Sequence, residues 1–174
     1  METVCIRELR KSDSRKYFEW INDRDLVLFF APFTPVSEAF HSNWFDSVTE
    51  DNHRRLFSIV IKSDNDTDIL IGYCTLRNID FICRSAQLQI RIGEKKQQNK
   101  GFGTIATKQL LEFGFKDLNL NRIYLDVFEN NERARRLYAR CGFIEEGVKR
   151  ESAFIDGEYI NLIQMSVLAK EYAF

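Results

Sequence analysis

The segment that most restricts how this chain can fold is Gln98-Asn99-Lys100-Gly101-Phe102-Gly103, which joins a strand-like run to a helix-like one. Upstream, Ala86 to Ile92 reads as a strand; downstream, helical periodicity begins at Gly101 and runs to about Leu118. Loop amides and the first helical N–H groups then converge on one point. An anion placed there gains hydrogen bonds and the favourable end of the helix dipole. Glycine at 101 and 103 lets such a ligand approach the backbone with no Cβ in the way. Lys95, Lys96 and Lys100 are expected to add positive potential at the mouth.

The rest of the chain arranges itself around this turn. Val4 to Leu9 reads as a first strand, and Ser12 or Asp13 caps a helix to about Asn22 with Tyr17, Trp20 and Ile21 on its apolar side. Leu26 to Pro35 is a hydrophobic, proline-broken loop. Ser37 opens a second helix with Glu38 in its first turn and Phe40, Trp44, Phe45 and Val48 expected to be buried. Leu56 to Ile61 and Ile69 to Arg77 form an antiparallel pair across the polar turn Asp64 to Asp68. After the long helix come a strand at Arg122 to Val127 and a helix from about Glu132 to Cys141, ended by Gly142. Strands near Phe143 to Gly147 and Tyr159 to Val167 close the chain. This order predicts an α+β fold with a mixed sheet.

A chain of 174 residues with no repeat, no low-complexity tract and two prolines reads as one domain over residues 1–174. Its formal net charge of −1 gives no global reason to expect nucleic acid or an anionic membrane as partner. No apolar run is long enough to span a membrane and no signal-peptide core is present, so a cytoplasmic protein is expected. Cys5, Cys74, Cys83 and Cys141 show no CxxC and no histidine at ligand spacing. They read as reduced, buried thiols, with no metal site. Fifteen phenylalanines point to an aromatic-rich core or a greasy pocket and are compatible with a homodimer.

Charge is uneven along the chain. Between Tyr17 and Asp51 stand seven acids (Glu19, Asp23, Asp25, Glu38, Asp46, Glu50, Asp51) against Arg24 alone, and between Arg91 and Lys108 five bases against Glu94. The acids either solvate two helices or line a site for a cation.

The glycine turn by itself is ambiguous. Gly101-Phe102-Gly103-Thr104-Ile105-Ala106 also matches the dinucleotide pattern G-x-G-x-x-(G/A), with Asp126 near the position of a ribose-binding acid. Against that stand the polar insertion Glu94 to Lys100 and the antiparallel look of what precedes it. A P-loop is excluded because no Gly-Lys-Ser/Thr follows. Downstream, Ala134, Leu137, Tyr138 and Cys141 share one helix face, and Asn131 stands at its start. By spacing alone Tyr138 is a core aromatic and Asn131 a helix cap.

Taken together, N-x-x-A-x-x-x-Y-x-x-x-G-F from Asn131 to Phe143, after Gln98-x-x-Gly101-x-Gly103, resembles the GNAT superfamily of N-acetyltransferases over about Ala86 to Met165. The closing run Gly147 to Met165 is similar to the branch containing polyamine and ribosomal-protein N-terminal acetyltransferases. The resemblance implies a mostly antiparallel sheet flanked by helices and splayed at an acetyl-CoA site, with no metal. It implies that amides from Gln98, Asn99, Lys100, Gly101, Phe102, Gly103 and Thr104 bind the pyrophosphate. The backbone of Ile90 and Ile92 would run beside the pantetheine arm, Asn131 would hydrogen-bond that arm, and Tyr138 would act as general acid on the departing thiolate. Many members carry an acid in the central strand near Gln87 or Gln89; here both positions are glutamine, which leaves the base to Glu129 or a water chain. The implied reaction is acetyl transfer from acetyl-CoA to a primary amine. The acidic segment suggests a polyamine or other small cationic amine, and a protein N-terminus or an amino-sugar nucleotide is the alternative. An anionic sugar nucleotide sits poorly beside so many carboxylates unless they point outward. A dinucleotide-dependent oxidoreductase and a non-catalytic acyl-CoA-binding module stay open as other classes.

Overall fold

The computed structural model describes residues 3–62 and 68–172. Period-two stretches give strands β1 (Thr3–Glu8), β2 (Arg55–Lys62), β3 (Ile69–Asp80), β4 (Ser85–Ile92), β5 (Arg122–Phe128), β6 (Ile144–Ile155) and β7 (Glu158–Leu168). The helices are α1 (Ser14–Ile21), α2 (Arg24–Val27), α3 (Glu38–Ser47), α4 (Phe102–Glu112) and α5 (Glu132–Arg140). The strands lie in one sheet in the order β1-β2-β3-β4-β5-β7-β6. Only the β4–β5 pair is parallel, and it is short: Ser85, Ala86 and Gln87 face Arg122, Ile123 and Tyr124. Beyond Gln87 the two strands part, so the predicted splay is present.

Alternation along β4 separates the two faces of the sheet. Leu88, Ile90 and Ile92 lie opposite Leu76, Cys74 and Gly72 of β3 and pack into the main core beneath α4 and α5. Gln87, Gln89 and Arg91 lie opposite Arg77, Thr75 and Tyr73 on the other face. That face carries the smaller cluster of Tyr17, Trp20, Leu26 and Phe45 from α1 to α3. In β5, Ile123, Leu125 and Val127 join the main core, which leaves Tyr124, Asp126 and Phe128 on the α1–α3 side. Gln109 of α4 ties its helix to the edge of the sheet, accepting from Ile6 N and donating to Val4 O.

Several expectations change. Asp64 to Thr67 lie outside the described residues, so the turn they were to form is not assessed. The loop expected from Leu26 begins inside α2. Ser37 caps α3 as expected, accepting from Phe40 N, but Phe40 itself is 67% exposed. The buried stripe of that helix is His41, Phe45 and then Val48, the i, i+4, i+7 phase. α4 ends at Glu112 and continues as a single π-helical turn, Phe113–Asp117. Cys83 is exposed in the β3–β4 turn rather than buried, and Cys5 is half-buried. β6 runs to Ile155, well past Gly147, and pairs with β7 through Asp156 and Gly157, both left-handed. Among the described residues no helix is long and apolar enough to cross a membrane.

Candidate active site

A cavity of about 340 Å³ passes through the sheet where β4 and β5 part. On the α4–α5 side it is lined by Gln98, Asn99, Gly101, Phe102, Gly103 and Thr104, and by Ala134, Leu137 and Tyr138. On the α1–α3 side its walls are Leu26, Phe29, Phe30, Arg91 and Asp126.

The cradle has the geometry of an anion site. Asn99 (φ 63°) and Gly101 (φ 83°) are both left-handed, a conformation that turns successive amides toward a common centre. Gly101 precedes α4 and provides no side-chain cap; Thr104 N turns back onto Gly101 O at 3.0 Å, which leaves the N–H groups of Phe102 and Gly103 for a ligand. A Cβ on Gly103 would come within 2.8 Å of Leu137 Cδ1, so this residue also lets α4 and α5 approach. Ile90 and Ile92 line the cavity from the stretch of β4 that pairs with β3 on one edge and has no strand on the other, β5 edge. Lys100 is the member of the run that does not line the cavity; its ammonium donates to Gln97 Oε1 at 2.8 Å.

The positive charge at the cavity comes from a different source than the sequence suggests. Lys95 is turned away onto Asp23 (2.8 Å) and Asp25 (3.6 Å). The lining cations are Arg133, Arg136 and Arg140 of α5, together with Arg91. Arg133 donates to Gln98 Oε1 (3.3 Å) and Asn99 Oδ1 (3.2 Å), buttressing the cradle. These arginines lie one turn apart on α5, a spacing visible in the sequence once the helix is known to border the cradle.

Tyr138 is buried, its ring edge-on to Phe143 at 5.6 Å. Among the described residues its hydroxyl has no hydrogen-bond partner, and it borders the cavity. Burial, with a smaller contribution from Cys141, pushes the phenol well above its ordinary pKa, so it stays protonated at neutral pH. Asn131 does cap α5, accepting from Ala134 N at 3.1 Å. Its amide also donates to the Phe29 carbonyl at 3.1 Å, which docks the loop after α2 over the cavity mouth.

The acids fall differently from expectation. Glu129 is exposed, takes a hydrogen bond from Asn161 and does not line the cavity, which removes it as the nearby base. The seven acids between Tyr17 and Asp51 do not line the cavity either; Glu19 pairs with Arg15 and Lys16, Asp51 with Arg54, and Asp23 and Asp25 with Lys95. The only carboxylate lining it among the described residues is Asp126, which crosses from β5 to the side of Gln87. Gln87 Nε2 donates to Asp126 Oδ2 at 3.5 Å, and Lys149 Nζ holds both oxygens at 2.8 and 2.9 Å. Asp126 therefore stands near where an acid of the central strand was missed. It lies on the sheet face away from the cradle. With β4 reached from antiparallel β3, this removes the dinucleotide reading.

Comparison with known proteins agrees with this geometry. A family model described as an acetyltransferase (GNAT) domain matches residues 3–144. A spermidine N(1)-acetyltransferase of Vibrio cholerae is 34% identical over 171 residues, covering 97% of this chain and 95% of the relative. One from Escherichia coli is 32% identical over 172 residues, covering 98% and 88%. The crystal structure of the V. cholerae spermidine N-acetyltransferase in complex with CoA and spermine superposes with a TM-score of 0.87 at 32% identity, covering 97% of each chain. With the family matched over most of its length and its cradle, splayed strands and helix-borne tyrosine in place, this chain belongs to the GNAT family of acetyltransferases.

Proposed function

We propose that this acetyl-CoA-dependent N-acetyltransferase acts on the primary amine of a small molecule, with polyamines as the reference acceptors, and that Tyr138 is its proton donor. The observation that carries this is the cavity crossing the sheet: a coenzyme cradle and Tyr138 open on one side, an acceptor wall with Asp126 on the other. The relatives named for spermidine, and the one solved with CoA and spermine, support a polyamine.

Acetyl-CoA supplies the thioester that the amine attacks. The turn from Gln98 to Thr104 holds its diphosphate through the amides not already bonded within it. The β5-side edge of β4 at Ile90 and Ile92 pairs with the amides of its arm, as an added strand would, displacing Gln98 Nε2 from the Ile92 carbonyl. Asn131 has its amide on the Phe29 carbonyl, so on this reading the arm takes over that donor and the Phe29 loop is released. Asp126 accepts a proton or an ammonium on the acceptor side. Lys149 stands there now as a primary alkylammonium on a carboxylate, the arrangement an acceptor amine would adopt. No covalent enzyme intermediate is needed, which suits a site without a nucleophile–base pair.

Measuring CoA release across polyamines, aminoglycosides, amino-sugar nucleotides and short peptides tests the acceptor. Silence with every polyamine would remove that class; silence throughout, with no acetyl-CoA binding by calorimetry, would remove the reading altogether. The cradle is tested separately. Replacing Gly101 by Ala meets open space at Cβ but forces a left-handed φ on a residue that resists it, at about 1 kcal/mol. Acetyl-CoA binding should then weaken about fivefold, and unchanged affinity would show that the turn is not what holds the diphosphate.

A further inference from the structure

Arg91 is a buried cation with nothing to neutralise it. It is 9% exposed, and among the described residues its side chain makes no hydrogen bond and no ion pair; its Nη1 is buried without a partner. What surrounds the guanidinium is aromatic: the Phe30 ring lies 3.8 Å away on centroid and the Tyr73 ring 5.1 Å. Stacking satisfies the faces of a guanidinium but not its edge, where its five N–H donors lie in one plane. Burying such a fork without an acceptor costs several kcal/mol. Desolvation accordingly pulls the Arg91 pKa below its ordinary value.

Its position says which ligand would complete it. Strand register puts Arg91 opposite Tyr73, on the sheet face of Gln87, Gln89 and Asp126, whereas Ile90 and Ile92 face the coenzyme side. The diphosphate cradle lies at the start of α4, on the opposite face. Arg91 borders the cavity, so a ligand on the α1–α3 side meets its edge. None of the carboxylates that made an anionic acceptor implausible from sequence lines the cavity. With Asp126 already held by Lys149, the acceptor wall has one free charge, and it is positive.

We propose that Arg91 is an acceptor-binding residue that takes an anionic oxygen, so the preferred acceptor carries a carboxylate or phosphate besides its primary amine. The amine takes the place of Lys149 on Asp126, which stays neutralised, and the anion lies toward Arg91. A planar carboxylate or two phosphate oxygens fit the fork in bidentate fashion. This rests on the N-acetyltransferase reading and narrows its acceptor from a plain polyamine to an amine that also carries an anion.

The test is a matched pair of amines that differ only at the far end: 5-aminopentanoate and 1,5-diaminopentane, with 2-aminoethyl phosphate as the phosphate arm. CoA release is followed with wild type and with Arg91→Met, which keeps the stem between Phe30 and Tyr73 and removes the charge. The expected result is a wild-type kcat/KM at least tenfold higher for an anion-bearing amine than for the diamine. Arg91→Met should lose about 10²-fold on that amine, gain or hold on the diamine, bind acetyl-CoA within about twofold of wild type, and melt no lower. Comparing the carboxylate with the phosphate names the group. If the diamine is the better wild-type substrate and Arg91→Met leaves the order unchanged, the proposal is overturned while the acetyltransferase stands. If none of the three turns over, calorimetry of each on the CoA complex decides: binding of an anion-bearing amine that Arg91→Met abolishes supports the proposal, and equal binding to both proteins overturns it. Absence of acetyl-CoA binding would count against the enzyme reading instead.

Discussion

Replacing Tyr138 by Phe is expected to lower kcat about 10²-fold while leaving acetyl-CoA affinity within about twofold. The ring fills its place against Phe143 whether or not it carries a hydroxyl, so the substitution removes a proton and little else. That hydroxyl has no protein partner among the described residues although the residue is 8% exposed, an unusual state for a buried phenol unless a ligand completes it. The hydroxyl would hydrogen-bond the departing thiolate and hand its proton over as the C–S bond breaks, recovering one from the acceptor nitrogen, which loses a proton in becoming the amide. The sign of the pKa shift makes a second expectation. Because burial raises the phenol above its ordinary value of about 10, Tyr138 keeps its proton across the working range. The ratio of wild-type to Tyr138→Phe rates should therefore stay constant from about pH 6 to pH 9. Unchanged turnover in the variant would take Tyr138 out of the chemistry and leave it a core aromatic. A ratio collapsing toward one as pH rises through 8 would mean that its pKa is low, and the burial argument wrong.

What the sequence shows of this site follows from which residues depend on local geometry alone. Gly101, Gly103, Asn131 and Tyr138 are legible because a turn, a cap and a helix face are set within a few residues of chain. Asp126 is not, because its value as a site acid depends on β5 lying parallel to β4 and parting from it after Gln87, a pairing between segments far apart in sequence. Arg91 counts in the sequence only as one of five bases between Arg91 and Lys108, yet the period-two alternation of β4 already turns it away from the cradle. The missing step was knowing which face the helices α1 to α3 would cover. In α3 the sequence offers two apolar phases, Phe40–Trp44 and Phe45–Val48, and a polar His41 completes the buried one, taking a place that hydropathy alone gave to Phe40. β6 outruns the expected strand near Phe143 to Gly147 because Glu145 to Ser152 are exposed, which leaves no alternation to read. Its length is set by the Asp156–Gly157 hairpin turn, whose two left-handed residues match the twist of the strands they join.

Removing Asp13 should cost the fold about 3–5 kcal/mol, because this carboxylate is a buried hub rather than a surface partner. It is 3% exposed and accepts from Arg7 through both oxygens (2.7 and 2.8 Å), from Ser58 Oγ (2.7 Å) and from Arg10 N (2.9 Å). Asp13→Ala removes the acceptor these three donors share, leaving Arg7 with the Glu8 carbonyl at 2.8 Å and Asp68 at 3.5 Å, and Ser58 with Tyr17 alone. For a chain of this size the loss corresponds to a fall in Tm of about 6–20 °C. Burial raises the pKa of Asp13, but the hydrogen bonds from Arg7, Ser58 and Arg10 outweigh it, and the net shift is downward. A group whose folded pKa is depressed stabilises fully above its unfolded value, about 3.9, and loses that contribution as pH falls through the folded value. The stability gap between wild type and Asp13→Ala, measured by urea unfolding, should thus be flat from about pH 5 to 8 and narrow below about pH 4. A gap that widens on acidification would contradict the network. The damage should also reach the acceptor wall: Tyr17, which shares a hydrogen bond with Ser58 at 3.1 Å, stacks on Tyr73 at 4.8 Å, and Tyr73 is one of the two rings holding Arg91. At temperatures where Asp13→Ala is still folded, its KM for the acceptor should rise more than its KM for acetyl-CoA, since the cradle lies on the other face of the sheet.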